Sequence, residues 1–445
     1  MSAILTAMAG KAARLAGWGG HSVAAHETLG EDLRALTDGA VISRGLGRSY
    51  GDSSLPPADR PEAVNTTRAD RLLGFDPATG RLRAEAGLSL LEMNRLLLPR
   101  GWFTPVTPGT QFVTLGGMVA ADVHGKNQHV AGNIGHHVTR LEMRVADGRV
   151  LWCSPDENED LFRATIGGMG LTGHILQVEL TMVRIPSRWI WQVTERAVDI
   201  DAFEATLARA AREWPMTMGW IDCVSGGDAL GRGVLIAGRW AEPHEAPAHP
   251  PRTLPRPRLP IDFPRWVLSP VTMRVFNELI YRKPWSAQAV VDPKSFFYPL
   301  DAIRDWNRMY GKPGFTQWQG LIPRAAGKGA ARRILEVLSR RGAASFLTVI
   351  KDCDRDGVGV LSFPGKGITI ALDIPMRDNT QAVIDELNET LIDLGGRIYL
   401  AKDSLTRPEH FRAMEGPRLD EFERIRRRWD PHRRLRSAQS ERLGL

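Results

Sequence analysis

Three glycine clusters crowd the first 173 of 445 residues. They are Arg44-Gly45-Leu46-Gly47-Arg48-Ser49-Tyr50-Gly51-Asp52, then Pro108-Gly109-Thr110 with Leu115-Gly116-Gly117, then Ile166-Gly167-Gly168-Met169-Gly170-Leu171-Thr172-Gly173. Glycine lets successive backbone N–H groups point into one concavity and lets a phosphate come close, so three such turns in one region predict a pyrophosphate cradle. The first cluster is spaced G-x-G-x-x-x-G, and no regular βαβ unit with an acidic residue about 20 positions later surrounds it. The dinucleotide fingerprint of a doubly wound sheet is thereby excluded.

Around the clusters, from Ala40 to Arg184, short strands alternate with turns. Leu82, Ala84 and Ala86 alternate after Thr79-Gly80; Leu141, Met143 and Val145 alternate before Asp147-Gly148, with Val150 and Trp152 returning; Val178, Leu180 and Met182 form another half-buried strand. One helix is well signed: Ser89 precedes Leu90 and Leu91 with Glu92 three residues on, a capping box, and Pro99 and Gly101 stop it. Composition shifts at Arg184-Ile185-Pro186. Beyond it, strands at residues 317–322, 345–350 and 368–374 alternate with amphipathic helices at 327–340 and 379–394, the second ended by Gly395-Gly396. The fold class is therefore α+β, with helices on one face of a largely antiparallel sheet in the second domain. Residues 243–264 are Pro-rich, which precludes a helix or central strand and predicts a long exposed loop suited to a lid. The opening residues 1–20 read as a short helix rather than a secretion signal, because Lys11 and Arg14 interrupt the apolar pattern.

Fifty-eight Lys and Arg against 51 Asp and Glu leave a net charge of +7, which favours an anionic partner: a phosphate, an acidic lipid surface or nucleic acid. No nucleic-acid-binding module is recognisable. Arg424, Arg426, Arg427, Arg428, Arg433, Arg434 and Arg436 concentrate the excess near the C-terminus and read as a solvated helix face. Cys153, Cys223 and Cys353 are odd in number and far apart, so neither a disulfide framework nor a CxxC metal site is expected, which fits a reducing, cytoplasmic compartment. His124, His129, His136 and His137 match no zinc spacing, and no metal is expected. No stretch of about 20 apolar residues occurs, so no membrane span is expected.

Residues 44–52 and 105–110, residues 115–130 with Asp122-Val123-His124-Gly125-Lys126-Asn127, and residues 166–173 resemble the PCMH-type FAD-binding domain of the vanillyl-alcohol-oxidase superfamily. The likeness continues through Leu279-Ile280-Tyr281-Arg282-Lys283, residues 314–323, Ser345-Phe346-Leu347 with Lys351, Leu361-Ser362-Phe363-Pro364 and residues 396–404. It covers nearly the whole chain, with the Pro-rich loop the most divergent part. The resemblance implies an FAD domain at residues 1–185 completed by 398–445, enclosing a substrate-binding domain at 186–397. It also implies that Arg44, Gly45, Leu46, Gly47, Arg48, Ser49, Tyr50, Gly51, Gly109, Thr110, Thr114, Leu115, Gly116, Gly117, Ala121, Asp122, Val123, His124, Ile175 and Tyr399 touch the flavin. Lys402, His124 and Tyr50 are the implied catalytic groups, and Lys126, Tyr281, Gln317, Gln319 and Lys351 the implied substrate contacts.

Within the superfamily the chain is most similar to enzymes of lipid-linked pentoses. This implies oxidation of the 2'-hydroxyl of a polyprenylphosphoryl-β-D-ribofuranose to the 2'-keto sugar, the first step of epimerisation to an arabinose donor for arabinan of the cell wall or surface. A reductase would complete that epimerisation, and the enzyme would touch the inner face of the membrane peripherally. The alternative is an FAD-dependent oxidase of a soluble sugar, alditol or aldonolactone. Two departures stand out. Arg48 occupies the place where many relatives tether flavin through His, so the FAD is expected to be non-covalent; Ala371 and Thr369 stand where mycobacterial members carry Cys and Asn. Lys402 follows a predicted buried strand; neutral it could accept the hydroxyl proton, charged it could stabilise a developing alkoxide.

Overall fold

Two sheets form the N-terminal part of the computed structural model, which describes residues 13–251, 255–343, 345 and 347–445. The first runs Ala13–Ala16, Ser22–Leu29, Glu62–Asn65, Ser43–Arg44, its last three strands mutually parallel. Most of the helix expected over residues 1–20 lies outside the described residues, and its described end is instead the strand Ala13–Ala16. Antiparallel pairing with Ser22–Leu29 decides that conformation over local preference. The second sheet is antiparallel throughout, in the order Leu72–Asp76, Arg81–Glu85, His174–Thr181, Val138–Arg144, Val150–Cys153. Leu82, Ala84, Leu141, Met143, Val178 and Leu180 alternate into a core with Met118 and Val119 of the helix Leu115–Ala120. The helix Leu90–Leu97 starts where expected: Ser89 Oγ accepts from Glu92 N at 3.2 Å, and Gly101 ends the following turn at φ 78°.

An eight-stranded antiparallel sheet follows, ordered Gln288–Val291, Ile190–Ala197, Gly233–Trp240, Met216–Ile221, Thr348–Cys353, Gly367–Pro375, Phe315–Pro323, Arg397–Ile398. The helices Ile200–Glu213, Ala330–Arg341 and Thr380–Asp393 cover one face through Phe203, Leu207, Ile334, Leu338, Leu387 and Leu391. The strand expected at 345–350 begins only at Thr348, because Ser345 Oγ bonds the carbonyl and N–H of Leu347 and holds a turn there. Within residues 241–264 the described part has no helix or regular strand, and Arg308 clasps it through Asp262 (2.9 Å) and the Pro260 carbonyl (2.8 Å).

The helices Pro408–Glu415, Pro417–Trp429 and Ala438–Leu443 return to the N-terminal sheets. Arg442 bridges Asp52 (2.8 Å) and Asp403 (2.7 Å), and Gln439 donates to the Leu400 carbonyl at 2.8 Å. The basic C-terminal stretch is a solvated face only in part. Arg426 is buried, and Arg428, Arg433 and Arg436 pair with Asp160, Glu423 and Asp59, because this tail packs back on the chain.

Candidate active site

Side chains alternate along a strand, so the helix-free face of the large sheet carries Gln317 and Gln319, then Thr369, Ala371 and Asp373, then Val349 and Lys351. Register sets them side by side: Gln317 opposite Asp373, Gln319 opposite Ala371, Val349 opposite Ala371, Lys351 opposite Thr369. Tyr399, beyond the edge strand Arg397–Ile398, donates its N–H to the Gln319 carbonyl and its hydroxyl to the Ala121 carbonyl (2.8 Å). Lys402 lies one turn later, its ammonium 3.8 Å from the centre of the Tyr50 ring. Tyr50 N donates to the Ala401 carbonyl at 2.9 Å, so the first glycine cluster and the Lys402 segment are joined by main chain.

The site these side chains form is basic and buried. Burial brings Lys402 down to about 7, reinforced by Lys351 and opposed by Asp373. Burial likewise brings Lys126 down to about 7, with Lys351 adding to the shift, and lowers Lys351 itself. Asp373 is pushed up to about 6 by burial, against hydrogen bonds from Gln317 and from the Tyr310 hydroxyl (3.0 Å). His124 is held well below its ordinary value by burial and then by Lys351 and Lys402, so its ring is neutral. Its Nε2 lies 2.9 Å from Gln319 Nε2, and its Nδ1 is buried without a partner among the described residues. With the amide donating, the ring proton sits on Nδ1, free for a ligand acceptor. Phe363 and Tyr399, stacked on each other at 4.9 Å, pack against that ring at 5.5 and 5.2 Å.

The glycine clusters divide their work differently from the sequence expectation of three shared phosphate turns. In the first, the N–H groups of residues 45–49 donate to nothing among the described residues. Gly47 has φ +62°, and a Cβ there would lie 2.3 Å from Arg44 Nη2. In the second, Leu115, Gly116 and Gly117 already donate to Leu88 O, Ala86 O and Thr114 Oγ1, so that helix start offers no free N–H. The third is an internal turn, with Ile166, Gly167, Gly168, Met169 and Leu171 all bonded to nearby carbonyls. The acceptors that take up these N–H groups, among them the carbonyls of Ala86, Leu88, Val119 and Ala120, are invisible in the glycine spacing.

Other predicted residues take structural places. Arg44 is braced by Ala16 O (2.7 Å), Ser54 Oγ (2.8 Å) and Glu27 (2.9 Å). The fully buried Asp122 carboxylate accepts from Asn133 (2.7 Å), Gly135 N (3.0 Å) and Ser362 (2.5 Å), leaving only its main chain for a ligand. Thr110 Oγ1 donates to Asp301 at 2.7 Å. Leu46 and Gly109 are exposed, Ser49 accepts from Trp18 N, Val123 is a core side chain, and Ile175 pairs with Met143. Arg48 is stacked on Trp18 (4.0 Å) and near Phe112 (5.2 Å), its Nε buried without a partner among the described residues. His129, His136 and His137 bond main-chain groups, and among the described residues no His, Cys, Asp and Glu cluster could hold a metal.

Tyr281 does not join these residues. Its ring lies 4.7 Å from the Arg232 guanidinium and its carbonyl bonds Arg196 on the strand Ile190–Ala197. That strand is five places from Phe315–Pro323, roughly 24 Å at about 4.8 Å a step. Conversely Asp373, Tyr310 and Phe363 belong to the site without having been singled out. A carboxylate in the apolar run 368–374 is the signal that marks Asp373.

Residues 34–154 match the family model described as an FAD binding domain. The chain is 34% identical over 454 aligned residues to decaprenylphosphoryl-β-D-ribose oxidase of Mycolicibacterium smegmatis, covering 97% of each. Shorter similarities reach D-arabinono-1,4-lactone oxidase of Yarrowia lipolytica (28%, over 27% of this chain and 23% of that one) and human Δ24-sterol reductase (30%, over 25% and 22%).

Proposed function

Because the chain belongs to the decaprenylphosphoryl-β-D-ribose oxidase family of FAD-dependent oxidoreductases, we propose that it oxidises the 2'-hydroxyl of a polyprenylphosphoryl-β-D-ribofuranose to the 2'-keto sugar. The observation that carries the reading is the convergence of Lys402 and Lys351 on the neutral His124, with Lys126 coupled to Lys351, beside a glycine turn whose N–H groups have no partners among the described residues. The same features fit FAD: unbonded N–H groups at 45–49 suit a pyrophosphate, and Arg48 Nε and His124 Nδ1 are buried polar atoms awaiting an acceptor. Residues 45–51, 109–110, the main chain at 121–124 and Tyr399 would hold it. Bound FAD supplies a two-electron acceptor for the hydrogen lost from the carbinol carbon.

The chain's own groups handle the proton and the anchoring. Lys402, near 7, takes the hydroxyl proton as the neutral amine, and Asp373 stabilises the resulting ammonium. Tyr50 fixes the ammonium's position through its ring face. His124 donates from Nδ1, and Gln317 and Gln319 line the sugar side. Lys126, only 9% exposed and 5.4 Å from the Phe296 ring, and Lys351 meet the phosphate. A reductase would finish the epimerisation toward an arabinose donor, and the lipid tail brings the enzyme to a membrane surface. Among the described residues no helix is long and apolar enough to cross one.

Anaerobic bleaching of the yellow protein tests the substrate: prenylphosphoryl ribose should bleach it rapidly, and free pentoses, alditols and aldonolactones slowly. Rapid bleaching by a free sugar or lactone alone would establish the soluble-sugar reading. Acid precipitation should release all the yellow colour to the supernatant, since Arg48 cannot form a histidyl–flavin bond; colour left in the pellet would contradict this.

A further inference from the structure

The helix Pro270–Arg282 is amphipathic in the reverse sense for a soluble domain. Its inward face is Met273 and Asn277, the latter donating to Asp222 at 2.7 Å. Its outward face is apolar: Val271, Val275 and Leu279, four residues apart and so on one stripe, are 68, 57 and 67% exposed. Trp266, 69% exposed, precedes it on the short turn Arg265–Leu268, and Ile261 is exposed a little earlier. Elsewhere large apolar side chains are exposed mostly singly, so this contiguous patch calls for a partner.

The charges around the patch identify that partner's sign. Arg265, Arg274, Arg282 and Lys283 are exposed beside it, and among the described residues Arg265 and Arg274 pair with no carboxylate. The acidic neighbours are already neutralised: Glu278 by Arg232 and Arg282, Asp262 by Arg308. The arginines of the C-terminal tail are largely paired within the chain and compete poorly for the role. Aromatic and aliphatic anchors flanked by unpaired cations match the interface of an anionic bilayer, where side chains enter the acyl boundary and arginines meet phosphates.

We propose that the outward face of Pro270–Arg282, with Trp266, docks the protein on an anionic lipid surface. This deepens the function proposed above, on which it rests only for its purpose. Leu268, on the inner side of the same turn, packs with the cluster of Tyr50, Trp306, Tyr310 and Phe315. Tyr50 in turn carries the Lys402 ammonium on its ring. The docking face and the reactive lysine are therefore two sides of one packed segment, an arrangement that lets a membrane-borne tail stay in lipid while its sugar reaches the cavity.

Co-sedimentation of the full holoprotein with phosphatidylcholine vesicles, with and without phosphatidylglycerol, at low and high salt tests docking without substrate. Wild type should sediment with the anionic vesicles and lose part of that binding in high salt. Val275→Asp with Leu279→Asp, both exposed and so compatible with folding, should lower the bound fraction about ten-fold. Arg265→Glu with Arg274→Glu should remove the preference for anionic lipid. Equal sedimentation of wild type and the aspartate variant, or none by wild type, would overturn the proposal. So would a wild-type dimer in light scattering that the aspartate variant dissolves while neither binds vesicles, since a second copy would then be the occupant. Turnover of a short-chain, water-soluble prenylphosphoryl ribose separates the two readings: the aspartate variant should match wild type there, and an inactive wild type would count against the reaction, not the docking.

Discussion

Lys402→Ala is expected to stay yellow and to be bleached by substrate about 10² to 10⁴ times more slowly than wild type, the usual cost of losing an acid–base group. Lys402 touches the Tyr50 ring and bonds its own turn through main chain, so removing the side chain leaves the glycine turn at 45–49 intact. The pH dependence carries its own signature. With Lys402 near 7, the neutral amine grows as pH rises, so bleaching at saturating substrate should climb between about pH 6 and 8 and then level off. Lys402→Ala should lose that rise. Substrate affinity should move the other way, because Lys126, also near 7, surrenders its charge over the same interval. Stability has a third sign: a lysine depressed in the fold binds fewer protons than in the unfolded chain, so stability should increase with pH from about 7 toward the ordinary lysine value. Stopped-flow bleaching across pH, with a thermal midpoint series, checks all three. A wild-type rate in Lys402→Ala would remove it from the reaction.

Gly51→Ala is expected to destabilise the protein by about 3 kcal/mol, the upper part of the range for overpacking, and to strip it of most of its FAD. An added Cβ would lie 2.0 Å from the Asp403 carbonyl oxygen and 2.8 Å from Ser404 Cβ. Neither side of this contact can recede. Tyr50 N is bonded to Ala401 O, Arg442 clamps Asp52 to Asp403, and the Asp403 carboxylate also accepts from Leu405 N and Thr406 N. Strain is therefore absorbed by residues 45–50 on one side or by Lys402 on the other, both in the site. Gly74→Ala, whose Cβ would meet nothing within 4 Å, should change neither melting temperature nor flavin content. Paired thermal melts and flavin-to-protein absorbance ratios decide it, and a normal melt with full flavin in Gly51→Ala would show that this contact is not a constraint.

Much of the architecture was legible in local pattern. The alternation at 82–86, 141–145, 178–182 and 368–374 and the cap at Ser89 became strands and a helix within a few residues of expectation, because period and capping act over short distances. The strands Ile190–Ala197, Met216–Ile221 and Gly233–Trp240 and the helix Ile200–Glu213 were not picked out; the strands of this part of the large sheet are defined by neighbours brought together only in the fold. Residue identity and motif also brought Lys402, His124, Tyr50, Lys126, Gln317, Gln319 and Lys351 to attention, and the fold gathers them.

What the chain's order of residues determined by itself was which chemical groups are present: glycine turns, lysines within recognisable motifs, and an arginine in place of a tethering histidine. Tertiary structure alone decided their employment. It closed the N–H groups of residues 115–117 and most of those of the third glycine cluster with acceptors of the fold, and left those of residues 45–49 without a partner among the described residues. Strand register placed Asp373 beside Gln317 and within reach of Lys402, while the helix Pro270–Arg282 carries Tyr281 to Arg196 and Arg232. The physical reason is range. Turn and strand preferences are settled among residues a few positions apart, whereas hydrogen-bond satisfaction, desolvation and charge coupling depend on partners that only folding brings within a few ångströms.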